Sequence, residues 1–80
     1  GMQHSLVGHQ AAVVLWSAKV QPAEATIFNS LGQPIGQYQM QLQRGLQHWN
    51  IPISAQPAGL YFLRVQTADG IRKTLRFLKQ

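Results

Sequence analysis

The sequence predicts an all-β fold, an antiparallel β-sandwich of six to seven strands, and three observations predict it. Polar and apolar residues alternate strictly in "QYQMQLQ", residues 37 to 43, which is the period of a half-buried strand. Glycine- and proline-bearing turns interrupt the chain at short intervals, as they do between the strands of a sandwich. No segment carries its apolar residues at helical spacing.

Taken in order, the chain opens on "GMQHSLVGHQ", whose mixed polar composition is that of a tail. Gly1 ahead of Met2 reads as a cloning remnant. Residues 1–11 are therefore expected to be a tag remnant, a linker or a weak edge strand, and residues 12–80 the sandwich domain. "AVVLWSA", from Ala12 to Ala18, is a first strand, apolar on both faces, which leaves the side taken by Trp16 open. "ATIFNSLG", from Ala25, is a second, ended by Gly32 and Pro34. Pro34 at the head of the next segment suggests a short or edge-placed strand, because proline cannot donate to a ladder.

That third strand carries Tyr38, Met40 and Leu42 on one face and glutamines on the other. Arg44-Gly45 then interrupts, and "LQHWNIPI" places Trp49, Ile51 and Ile53 at period two. A two-residue hairpin at Arg44-Gly45 pairs Gln43 with Leu46, setting Met40 opposite Trp49 and Tyr38 opposite Ile51, so that the apolar faces coincide. Pro57 then suits the second position of a chain reversal and Gly59 the fourth. "LYFLRV" follows, apolar on both faces as a central strand packed from two sides would be, with Tyr61, Leu63 and Val65 on one of them. Ala68-Asp69-Gly70 is a three-residue loop with its glycine in a left-handed conformation. It sets Thr67 against Ile71, Leu63 against Leu75 and Tyr61 against Phe77, and sends Arg64, Arg72, Thr74 and Arg76 to the opposite face. Short strands of this number and spacing give the sandwich an immunoglobulin-like look.

Composition narrows the function. Eighty residues make one domain, and so short a chain buries only about 60% of its unfolded surface, too little for a deep catalytic cavity. Seven Lys and Arg against two acidic residues give a net charge of +5, which favours anionic partners without naming one. The basic residues are not interleaved with stacking aromatics and lie on no reading helix, so no nucleic-acid partner is expected. No apolar run approaches the roughly 20 residues that span a bilayer, so stable membrane insertion is not expected either.

The only carboxylates are Glu24 and Asp69, the latter assigned to its turn, which leaves no acid–base pair. His4, His9 and His48 lack metal-ligand spacing, and Ser5, Ser17, Ser30 and Ser54 lack the setting of an activated nucleophile. The sequence therefore reads as a non-enzyme, with no catalytic residue, no cofactor and no metal. An adhesive or carbohydrate-binding module is the alternative, with Trp16, Trp49 and Tyr38 as its aromatic platform. Edge strands pairing between two chains, or exchanging a terminal strand, are the expected route to a dimer.

From "ATIFNSLGQPI" through "ISAQPAGLYFLRVQTADGIRKTLRFLK" the chain resembles the C-terminal sorting domain of the type IX (Por) secretion system of the Bacteroidetes. The resemblance rests on Ile27-Phe28-Asn29 leading to Leu31-Gly32, on the Pro57, Ala58, Gly59, Leu60 and Tyr61 signature, and on the glycine turn and basic last strand at Gly70, Arg72, Lys73, Arg76 and Lys79. It implies a delivery label at the end of an exported protein, with a cargo domain upstream and with the type IX translocon and a sortase-like peptidase as protein partners. The implied route runs from the periplasm to the outer-membrane surface or the medium. "MQHSLVGHQ" stands where such proteins carry a proline- and asparagine-bearing junction to their cargo.

Overall fold

A computed structural model describes residues 5–7, 10–53 and 56–80, with side chains from residue 10 onward. Seven strands build it: β1 (Ser5–Val7), β2 (Gln10–Ser17), β3 (Gln21–Asn29), β4 (Pro34–Leu42), β5 (Gly45–Pro52), β6 (Gly59–Thr67) and β7 (Arg72–Lys79). A five-stranded sheet in the order β1-β7-β6-β3-β4 faces a two-stranded sheet of β2 and β5. All neighbours are antiparallel except β1, which lies parallel to β7 against Phe77 to Lys79. The row β7, β6, β3, β4 follows the G, F, C and C′ strands of an immunoglobulin variable-type domain, and β2 with β5 follow its B and E strands. The fold is an immunoglobulin-like sandwich. Gln43 and Arg44 alone join β4 to β5, which leaves no chain for the D strand that would flank β5.

The core lies between the sheets. Its buried centre is Ala11, Val13 and Leu15 of β2, Ala23, Ala25 and Ile27 of β3, Leu42, Ile51 and Ile53, Tyr61, Leu63 and Val65 of β6, and Phe77 of β7. β2, β3 and β6 each contribute three alternate residues, the period-two pattern expected of them. Met40 and Trp49, whose period-two faces predict burial in the core, are half-buried and pack on the margin of this cluster.

The predicted Arg44-Gly45 hairpin does not form. β4 pairs with β3 and β5 pairs with β2, so Met40 lies beside Ala23, and Trp49 beside Val13. Alternation fixes which face of a strand is apolar and is silent on its partner. The three Cα steps from Leu42 to Gly45 reach at most about 10–11 Å, which is also the spacing of packed sheets, so a two-residue link serves as a crossover as well as a hairpin. Here it crosses. The apolar faces that a hairpin would set side by side meet instead face to face, and β2 gains the partner it otherwise lacks.

Gln47 completes the crossover: its Nε2 donates to the Gln43 carbonyl at 2.7 Å, and its Oε1 accepts from the Gln43 amide at 3.0 Å. One side-chain amide thus satisfies both backbone groups that a hairpin would have paired. Tyr38 reaches across as well, its hydroxyl donating to the Pro52 carbonyl at 3.1 Å.

The β6–β7 hairpin has the predicted register, with Leu63 beside Leu75 and Tyr61 beside Phe77. Thr67 and Ile71 close its loop, and Gly70 takes a φ of 95°. β6 is central in its sheet, but among the described residues no second layer covers its other face, where Leu60, Phe62 and Arg64 are half-buried by neighbouring side chains. The expectation of packing from two sides is corrected accordingly. Pro34 does begin an edge strand, although one of nine residues. Trp16 points outward, 65% exposed.

Candidate functional site: the signature corner and the last strand

Pro57 to Tyr61 form a corner at the entry to β6. Gly59 has a φ of 156° with nothing within 4 Å of an added Cβ, so the backbone angle and not crowding calls for glycine there. Two residues on, the strand period turns Tyr61 inward, where it is buried and stacks on Phe77 with ring centroids 5.7 Å apart. Its hydroxyl donates to the Pro57 carbonyl at 2.5 Å. A tyrosine at the start of this strand, bonded to backbone a few residues upstream, is the tyrosine corner of immunoglobulin-like domains. The signature thus has a local physical role. Ala58 is exposed beside it, and Leu60 is half-buried on the outer face.

The opposite end of the sandwich is held by a polar cluster that sequence reasoning missed. Gln21, 3% exposed, donates from Nε2 to Ser17 Oγ at 2.8 Å and to Asp69 Oδ2 at 3.2 Å, while its Oε1 accepts from the Asp69 amide at 3.1 Å. Thr67 donates its hydroxyl to Asp69 Oδ1 and accepts from the Ile71 amide at 3.1 Å. The β6–β7 loop is thereby pinned to the crossover between β2 and β3. The Thr67 hydroxyl bond, opposed by desolvation and aided by Gln21, the Ile71 backbone and the Lys19 charge, holds the Asp69 carboxyl below its ordinary value of 3.8. Gln21 gave no signal because it is one glutamine among many. Asn29 works similarly at the β3–β4 turn, its Oδ1 accepting from the amides of Leu31 and Gln33 at 3.0 Å each.

The residues expected to form a recognition strand divide between two faces. Arg72 and Arg76 stand on the outer face of the five-stranded sheet, where Arg64 of β6 falls between them in register. Lys73 and Lys79 share the inward parity of Leu75 and Phe77 but sit at the ends of β7, and Gly70 lies in the preceding loop. Nor are the three aromatics of the adhesive reading brought together. Trp16 is on the outer face of β2, while Trp49 and Tyr38 pack at the core margin and Tyr38 is hydrogen-bonded across the sheets. His48 is exposed on β5; His4, His9, Ser54 and the side chain of Ser5 lie outside the described residues. Among the described residues no three potential ligands gather around a metal position, and no helix is long and apolar enough to cross a membrane.

Fold and corner together define an immunoglobulin-like module that presents a basic strand at the end of the chain. From residue 10 to residue 80 the chain matches the family described as the secretion system C-terminal sorting domain, and it belongs to that family. Membership implies a type IX sorting role in a secreted protein that passes to the outer membrane or cell surface, in a family not known for catalysis. No curated protein matches the chain.

Proposed function

We propose that residues 12–80 are a non-catalytic label that carries an upstream cargo domain across the outer membrane by the type IX pathway. In this reading residues 1–11 hold the linker or weak edge strand that joins the two, with Gln10 and Ala11 already in β2, the translocon recognises the folded sandwich, and a sortase-like peptidase acts at the junction. The observation that carries the reading is the signature corner in its folded context, Pro57 tied to Tyr61 at the root of β6, in a chain that matches the sorting family over nearly its whole length. The corner is a folding device, and it supports recognition by fixing how β6 and the basic β7 are displayed.

The test is a fusion. A fluorescent reporter with a periplasmic signal peptide ahead of this chain reaches the surface of a host that possesses the pathway, and remains in the periplasm when residues 71 to 80 are removed. Retention of the intact fusion overturns the sorting role. Pairing of two chains through an open strand edge also belongs to this reading, since β2 and β5 form a sheet of two strands with no acid, lysine or arginine in either.

A further inference from the structure

The outer face of the five-stranded sheet carries three arginines, Arg64 of β6 and Arg72 and Arg76 of β7. Its cross-strand rows read Gln39, Glu24, Gln66, Arg72; then Gln37, Thr26, Arg64, Thr74; then Phe28, Phe62, Arg76. Arg64 is thus diagonal to both Arg72 and Arg76, a spacing of about 7–8 Å between backbones that long side chains readily close. Three arginines against Glu24 leave this face at +2 (3 − 1). Glu24 is diagonal to Arg64 and two strands away from Arg72, and its carboxylate accepts from Gln37 Nε2 at 3.4 Å, so one acid faces three arginines. The Arg64 guanidinium lies over the Phe28 ring, 5.0 Å from its centre, which holds it flat against the sheet. Arg76 Nε is buried with no hydrogen-bond partner, the one such side-chain atom among the described residues. An unpartnered buried donor carries a free-energy cost that a ligand acceptor removes.

We propose that this face, through Arg64, Arg72 and Arg76, docks a partner protein that presents clustered carboxylates. The inference rests on the sorting reading and names the chemistry of the partner. Planar guanidinium forks match carboxylates two bonds at a time. An arginine-and-aromatic centre with an amide rim on a flat sheet is also the anatomy of a protein interface. An acidic glycan fits less well. A concavity on this face, about 370 Å³, lies beside Pro22, Gln39, Gln66 and Thr67, and the charge it holds is the Glu24 carboxylate, which repels such a ligand.

Two charge-matched variants decide it, Arg72→Gln/Arg76→Gln and Lys73→Gln/Lys79→Gln, each lowering the net charge by two. The probe is fluorescein-labelled octaglutamate, read by anisotropy at about 0.15 M salt to screen diffuse attraction, with polygalacturonate as the glycan competitor. The arginine pair is expected to weaken peptide binding at least about tenfold and the lysine pair less than about threefold, with polygalacturonate competing weakly. Equal losses overturn the proposal in favour of net charge, and polygalacturonate competing as well as unlabelled octaglutamate overturns the protein partner. Circular dichroism verifies each fold, and Arg64→Gln/Arg72→Gln replaces the first variant if Arg76→Gln unfolds. In the export assay, the arginine variant leaving the reporter in the periplasm supports the proposal. Normal export by that variant overturns it while the sorting role stands, whereas failure of the unaltered fusion alone removes the sorting role and leaves the binding result intact.

Discussion

At the scale of single residues, two contacts tie sequence to stability. Tyr61→Phe keeps the stacked ring and deletes only the bond to Pro57, whose exposed residue can turn its carbonyl to water. The loss is therefore about 1 kcal/mol in denaturant unfolding, near the middle of the range for a net hydrogen bond. A loss above about 3 kcal/mol would mean that the hydroxyl organises more than the corner. Asp69 gives a pH signature. Its carboxyl is held below the ordinary 3.8, so its contribution is present above the carboxylate range and disappears as the pH falls through its folded value. Asp69→Asn is expected to flatten the stability curve below about pH 4 and to lower it at neutral pH, since an amide cannot accept from both Thr67 and Gln21 in the same way. An unchanged acid limb in calorimetry would contradict the assignment.

At the scale of elements, legibility followed the range of the signal. The β6–β7 hairpin was readable to the residue because the Ala68-Asp69-Gly70 loop sets its own register and Leu63, Leu75, Tyr61 and Phe77 agree with it. The outer placement of Arg64, Arg72 and Arg76 followed from the same register. The β4–β5 link was not readable, because period two is unchanged whether the next strand lies beside or across. Gln47, whose amide closes the crossover, is written like every other glutamine in the chain. The tyrosine corner was visible as residue types and not as a bond. These differences carry predictions. Leu63→Ala, at 1% exposure in the centre of the core, should cost about 2–5 kcal/mol, a large share of the stability of so small a domain. Gly59→Ala should cost about 1–3 kcal/mol through its backbone angle alone, and a neutral result in thermal unfolding would refute that account.

At the scale of the whole molecule, the two sheets are unequal in a way that matters for association. The five-stranded sheet carries Arg64, Arg72 and Arg76 on its outer face, while Gln10–Ser17 and Gly45–Pro52 contain neither acid nor lysine nor arginine. Charged side chains are the usual guard of an exposed strand edge, and this sheet has none. Its outer surface sets Trp16 beside Leu46, 65% and 69% exposed, next to Val14. Two chains that each carry +5 can approach here with the arginine faces turned away from each other, so like-charge repulsion is weakest where the backbone is most open. Light scattering should accordingly show a concentration-dependent dimer at millimolar protein, strengthened little by salt. Val14→Lys with Leu46→Lys introduces the missing guards at exposed positions, leaving the core intact, and is expected to give a monomer with unchanged unfolding. A wild-type chain that stays monomeric throughout would show that the two-stranded sheet tolerates its open edges without a partner.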